Sequence, residues 1–513
     1  MVKKMYVEPN TNIRLLSYVP LDPSYDHTIY FSSKSAQTEY FMSCTKYSFT
    51  NQSYQRVQRG WMRVQGWAEN FYDCNYLMFQ NSAWGNKWFY AFITSVEYIN
   101  NEVAQIGFEI DVMQTWFFDY NLDQCWVERE HTASDNYFEN TVVEDVNLGN
   151  EYVCSGTHIY DLNDMSVCIL ANRVSEEGTE ASRTINNIYT PMNIIAGVPA
   201  TDPKAIDTLL DQYNENDIVT VYQYPSFLGD ASTETAESDD YTTGPNLSTI
   251  DGYTPRNKKL FSYPYNWLLV TNNSGQTAEL KWELWDDSHR GDFRITGVFV
   301  STPAVMCYPL YYRGIYQDYD SGLVMSNFPQ CPWAGDTFKA WWAQNKASFV
   351  TSGITSVLSS IGTGVVAGAL TGGNLAVAGI SAVTSIGSTV ASSVAKVEDI
   401  KNTPSQTHGQ TQTDSLNPGM GRVQFNFYNM CIRAQEARII DDYFTRFGYA
   451  VKRNKVPNRN VRPHWTYTKT AGCTITGSVP ADDAKKICDI YNNGITFWAN
   501  GGEVGNYSLD NSV

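Results

Sequence analysis

The chain has 513 residues, of which 36 are Lys or Arg and 54 are Asp or Glu, for a formal charge of −18 at pH 7. The length is enough for about three domain-sized units, and the acidity excludes a protein that grips nucleic-acid phosphates through a basic face. The 34 Tyr, 23 Phe and 14 Trp exclude a disordered chain, and with only 18 % charged residues they favour strands over helices.

The N-terminus carries Lys3 and Lys4 but no apolar run behind them, so no secretory signal is expected. The stretch up to about Trp116 reads as strands. Lys87 to Tyr98 is one; in the next, Ile106, Phe108, Ile110 and Val112 alternate with Gly107, Glu109 and Asp111. Asn100-Asn101 between them marks a hairpin turn. Glu128 and His131 would share one helical face, but no second His motif completes a metal site, and a solvated surface is predicted there. A helix is predicted from Pro203 to Tyr213, capped by Asp202, with Ile206, Leu209, Leu210 and Tyr213 on its core face.

From Asp230 to Asp251 the chain is acidic and has no Lys or Arg, the composition of a mobile surface loop. Strands resume at Trp267 to Thr271 and Ala278 to Trp285, with Asn272-Asn273-Ser274-Gly275 as the turn. Asp286, Asp287 and His289 precede Arg290-Gly291-Asp292, which reads as a turn rather than a metal centre. A helix is predicted from Thr337 to Lys346, capped by Asp336.

The composition then changes abruptly. Ala347 to Ala395 is 49 residues without a charge or a proline, and Phe349 is its single aromatic residue. Gly372, Gly373 and Asn374 divide it into halves of 25 and 21 residues. Each half, as a helix, is long enough to cross a hydrocarbon core of about 30 Å. The first half carries Phe349, Val350, Ile354, Val357, Leu358, Ile361, Val365 and Leu370, with Gly364 and Gly368 spaced for close helix approach. The second carries Leu375, Val377, Ile380, Val383, Ile386, Val390 and Val394. Ser and Thr recur throughout, so this is not a plain anchor. Composition alone leaves two readings open: a membrane-active hairpin, or a buried hairpin or low-complexity linker. Gly362, Gly364 and Gly368 imitate a dinucleotide fingerprint, but no strand precedes them and no acid follows at the required distance.

A polar stretch, Asn402 to Asn417, leads back to a globular pattern. Ile439, Tyr443, Phe444 and Phe447 mark one helix face; Ala484, Ile487, Cys488 and Tyr491 mark another, which Gly494 ends. The ten cysteines form no C-x-x-C pair and read as small thiols in a reducing compartment. There is no G-x-S-x-G, P-loop or H-E-x-x-H motif. No catalytic residue, metal ligand or cofactor is assigned.

Three stretches are more specific than any of these motifs: NYLMFQNSAWGNKWFYAFITSVEYIN and FEIDVMQTW within Asn75–Trp116, GYTPRNKKLFSYPYNWLLVTNN from Gly252 to Asn273, and Val19 to Phe31. They resemble the distal tail tube, or tail knob, protein of small short-tailed bacteriophages with protein-primed DNA replication. The resemblance covers most of the chain and is weakest over residues 117–245; the chain is compact for that family. It implies a non-enzymatic virion protein at the tail tip: a mainly β fold with short helices, β-barrel tube domains and a long apolar loop. It also implies a homo-hexameric ring associated with other tail proteins, whose lumen passes viral DNA without specific binding. The apolar loops plug that tube and emerge to help penetrate the host membrane, and Ala347–Ala395 matches the loop in position and composition.

The corresponding division is 1–120 as a strand-rich tube part, 121–250 as an outer region, and 251–346 as a second tube part. Residues 347–417 form the loop and its polar return, and 418–513 the return to the tube domain. A receptor-binding protein with Asp230–Asp251 as an exposed tip is the alternative. A wall-degrading enzyme has no catalytic set to support it.

Overall fold

The structure, a computed structural model, describes residues 10–52, 60–162, 164–173, 183–185, 188–190, 192–199, 203–211, 218–228, 237–273, 275–299, 303–313, 322–325, 330–332 and 423–513. The strand-dominated class expected from composition is what these residues show, with a few helices. They divide into two compact units. The first comprises 1–147, 255–259 and 438–513, the second 148–254 and 260–437.

In the first unit, six antiparallel strands lie in the spatial order Thr45–Gln52, Thr11–Ser17, Cys74–Gln80, Phe89–Asn100, Val103–Ile110, Trp61–Gln65. The predicted hairpin is present: Asn100 Oδ1 accepts the Glu102 N–H (2.9 Å) at its turn. The second strand stops at Ile110, earlier than the alternation suggested, because Asp111 caps the helix Val112–Trp116 through the Gln114 N–H (3.1 Å). Both faces of the central strands are covered. Ile13, Leu15, Leu77, Phe79, Ala91 and Ile106 fill one core, while Leu16, Tyr76, Met78, Tyr90 and Phe92 fill another with the helices. Period-2 alternation therefore serves two cores rather than one core and water.

A second sheet runs His27–Ile29, Ile495–Trp498, Trp465–Ala471, Cys125–Glu130, Tyr449–Lys455, with its first pair parallel. Helix Ala481–Asn493 buries Ile487, Ile490 and Tyr491 and ends at Gly494, whose φ of 96° favours glycine. Helix Ala434–Phe447 departs from its predicted stripe. Ile439 is 70 % exposed, and the buried face is Ala437, Ile440, Asp441, Phe444 and Thr445.

The second unit holds three four-stranded sheets. One orders Tyr152–Asp161, Gln424–Ile432, Asn266–Thr271 and Thr277–Leu280; another Met192–Pro199, Met165–Arg173, Ile218–Pro225 and Gln330–Pro332. The third orders Glu237–Thr242, Asp292–Phe299, Pro303–Pro309 and Leu323–Met325. The predicted helix is present as Pro203–Asp211. The strand predicted over Ala278–Trp285 is Thr277–Leu280, followed by a 3-10 turn at Trp282–Leu284 that buries Trp282 beside Trp285.

The acidic stretch is not a loop throughout. Glu237–Thr242 is a strand paired along Asp292–Phe299. Arg294 grips Asp240 at 2.7 and 3.0 Å, Tyr160 donates to Asp239 (2.7 Å), and Tyr241 lies 5.0 Å from Phe427. Cross-strand partners from distant sequence hold as an ordered, still exposed strand what composition alone reads as a loop. Cys44, Cys74, Cys125, Cys154, Cys307, Cys431, Cys473 and Cys488 are all free thiols.

Candidate functional site

The apolar positions singled out above, Phe349 to Val394, lie outside the described residues, as do the predicted helix Thr337–Lys346, its cap Asp336, and the polar return 402–417. The structure does describe the two strands from which this insertion departs and to which it returns. They differ in kind.

The departing strand, Gln330–Pro332, is three residues long and sits at a sheet edge, pairing Tyr222↔Gln330, Val221↔Cys331 and Thr220↔Pro332. The returning strand, Gln424–Ile432, is central. Its register runs from Tyr152↔Ile432 to Asp161↔Gln424 on one side and from Asn266↔Cys431 to Thr271↔Asn426 on the other. Phe425, Phe427, Cys431 and Ile432 are buried. Phe427 meets Phe293 at 4.8 Å, and Asn426 donates to Asn273 (2.7 Å). One residue later the helix Ala434–Phe447 begins, its first N–H held by Asp251 (3.0 Å). Aromatic burial and a ladder on each side anchor this return.

In the first unit, a buried polar network explains the stretch GYTPRNKKLF. Its residues 255–259 are surrounded by that unit's charges. Glu144, wholly buried, accepts from Lys259, from Arg129 and from the Ala450 N–H (2.7 Å). Lys259 also donates to the Val142 carbonyl (2.7 Å) and lies 5.3 Å over Tyr449, and its burial pulls the ammonium pKa down. Asp441 accepts from the N–H groups of Arg256 (3.1 Å) and Asn257 (3.0 Å) and from the Asn257 amide (2.9 Å). Each buried charge has its partner, which is the condition for tolerating it.

The surface expected around Glu128–His131 is corrected here. Glu130 is buried and accepts from Lys455 and from the Asn458 N–H (2.8 Å). His131 is buried too. Its Nδ1 accepts the Tyr467 N–H (2.8 Å), so Nε2 carries the proton toward the Thr445 carbonyl (3.1 Å). Burial depresses its pKa to about 3, so it stays neutral. Gly448 closes against the Glu130 carbonyl, which an added Cβ would meet at 2.2 Å, and its φ is +65°. His289 bonds Asp292 (3.0 Å) and Arg290 pairs with Asp287. Among the described residues no three His, Cys, Asp or Glu side chains converge on a metal position.

Comparison with known proteins agrees with this architecture. The family described as Caudoviral major tail protein N-terminus matches residues 9–121. The chain is a structural component of a bacteriophage tail, not an enzyme. The family described as Bacillus phage phi29 tail knob protein gp9, C-terminal domain, matches residues 231–512, and the chain belongs to it.

The tail knob protein gp9 of Bacillus phage PZA is 27 % identical, and the alignment covers 98 % of this chain and 98 % of that protein. The gp9 of Bacillus phage phi29 is likewise 27 % identical with the same coverage. The alignment with the PZA protein runs over 599 positions against 513 residues here, in keeping with a compact member. In fold, the chain matches the structure of the bacteriophage C1 tail knob protein, gp12, with a TM-score of 0.62 at 14 % identity, covering 98 % of this chain and 99 % of that one. It is a component of the virion tail.

Proposed function

We propose that the protein forms the distal tube of the tail as a closed homo-hexameric ring, conducts the genome during ejection, and carries in Ala347–Ala395 a plug that afterwards enters the host membrane. The observation that carries this reading is the run of 49 uncharged residues, broken once by Gly372-Gly373-Asn374 into two halves of spanning length, in a chain of net charge −18. All the charge sits elsewhere. An acidic wall repels DNA phosphates and keeps a hydrated gap, whereas a basic one would hold them. Closing strands into a ring removes exposed sheet edges. Six hairpins would supply about twelve helices, enough to surround a pore, and the small residues Gly364 and Gly368 permit their close approach. In this reading residues 1–120 and 251–346 build the tube, 121–250 the outer part, and 418–513 the return from the loop.

The test is a chain lacking 347–395, compared with the full chain on dye-loaded liposomes. Ring assembly seen by electron microscopy with leakage abolished supports the reading. Undiminished leakage removes the membrane role, and the absence of rings in the full chain removes the tube.

A further inference from the structure

The first unit carries a groove of about 470 Å³ at the edge of its six-stranded sheet, bounded by the edge strand Trp61–Gln65, the turn of the hairpin Phe89–Asn100/Val103–Ile110 and Gln52. Along Trp61–Gln65, Met62 and Val64 are buried, so Trp61, Arg63 and Gln65 face outward. The register sets two rows across this face. Arg63 lies opposite Gln105, which lies opposite Glu97; Arg63 Nε donates to Gln105 Oε1 and Gln105 Nε2 to Glu97, both at 3.3 Å. Beside it, Trp61 lies opposite Gly107, which lies opposite Ser95.

Gly107, next to the groove, is buried beneath its neighbours' side chains. A Cβ there would meet Ser95 Oγ at 2.5 Å, Thr94 Oγ1 at 3.1 Å and the Trp61 ring at 3.2 Å. A side chain at Gly107 would crowd the far edge of the Trp61 indole and the two hydroxyls beside it.

We infer that this groove binds a neutral oligosaccharide of equatorially linked hexose units, with Trp61 as its stacking platform. Such a sugar presents a flat face of C–H bonds and a rim of hydroxyls that both donate and accept. The indole offers a flat apolar face that matches the first. The row Arg63–Gln105–Glu97, with Gln65 and Asn100, offers donors and acceptors in alternation for the second. The lining carries one cation, Arg63, and one anion, Glu102, so it has no net charge and complements an uncharged polyhydroxylated ligand rather than an ion. The proposed binding does not depend on the role of residues 347–395.

The test titrates the purified full chain with cellohexaose and chitohexaose, followed by tryptophan fluorescence and calorimetry. Saturable binding of at least one is expected. Trp61→Ala should weaken it at least tenfold, and Gly107→Val, which crowds the indole, should act in the same direction. Arg63→Ala, an exposed change that leaves the core untouched, should weaken it several-fold. Trp67→Ala, outside the groove, should leave it within twofold. Failure of both sugars to bind overturns the inference. So does binding unaffected by Trp61→Ala and Arg63→Ala, or a loss of self-association in these variants without an effect on sugar, which would make the groove a contact between copies of the chain.

Discussion

Both units bury apolar cores, but each adds a different device to its interior. The first holds a connected polar network: Glu144, Lys259 and Arg129 in one part, Asp441 with Arg256 and Asn257 in another, each group satisfied. The second holds an aromatic pile. Trp285 lies 5.5 Å from Trp282, 5.7 Å from Phe293 and 4.7 Å from Tyr312, and among the described residues the buried Nε1–H groups of both tryptophans have no hydrogen-bond partner. The network stabilises only as a set, since removing one member strands a charge. The pile is additive in area and shape, and tolerates two unpaired donors because its apolar burial is large.

The largest expected effects probe that contrast directly. Glu144→Leu should cost about 3–5 kcal/mol in urea unfolding, because Lys259 and Arg129 lose their counter-charge. Changing Glu144 and Lys259 together to Met should recover most of it; a double change as harmful as the single one would show that the charges contribute net stability. Trp285→Ala should also cost about 3–5 kcal/mol through the cavity it leaves, while Trp285→Phe, which removes an unpaired donor, should cost less than half as much.

The pH predictions come next in size. His131 has a folded pKa near 3, below the ordinary imidazole value, so its contribution is whole above about pH 6.5 and is lost as pH falls toward 3. By pH 4.5 the loss should be on the order of 3 kcal/mol, and His131→Gln should flatten it. Asp111 behaves oppositely. Burial raises its carboxyl to about 6, against hydrogen bonds from Tyr76 (2.8 Å) and the Gln114 N–H. Its contribution is whole below about pH 4 and is lost as pH rises through 6. Asp111→Asn should remove that slope, of order 2–3 kcal/mol, in thermal melts from pH 4 to 7. Ile439→Lys should change stability by no more than about 0.5 kcal/mol, since that side chain is exposed.

Local pattern was legible wherever the partner is near in sequence. Asn100-Asn101 announces its hairpin, Pro203 its helix start and Gly494 its helix end. It failed where the partner is far away. Glu130 and His131 look solvated beside Arg129, yet Lys455 lies 325 residues on and the Tyr467 N–H 336. Glu237–Thr242 reads as loop until Arg294 is set opposite Asp240. Ile439 was placed in the core by hydropathy, although Asp441, inward and satisfied by Asn257, defines the buried face. The groove at Trp61 is invisible in the sequence because its lining comes from separate stretches, Gln52, residues 61–65 and residues 99–105, that only the sheet brings together.

The unequal roots of the insertion have a mechanical consequence. Tension on a chain leaving Pro332 is resisted by one ladder of three residue pairs at a sheet edge. Tension arriving at Gln424 is resisted by longer ladders on both sides and by the buried Phe425 and Phe427. A force-clamp experiment with a handle within 333–422 should therefore free Gln330–Pro332 at lower force than Gln424–Ile432. A pull on the insertion would lengthen the tether from one side only, while the other stays anchored to the particle.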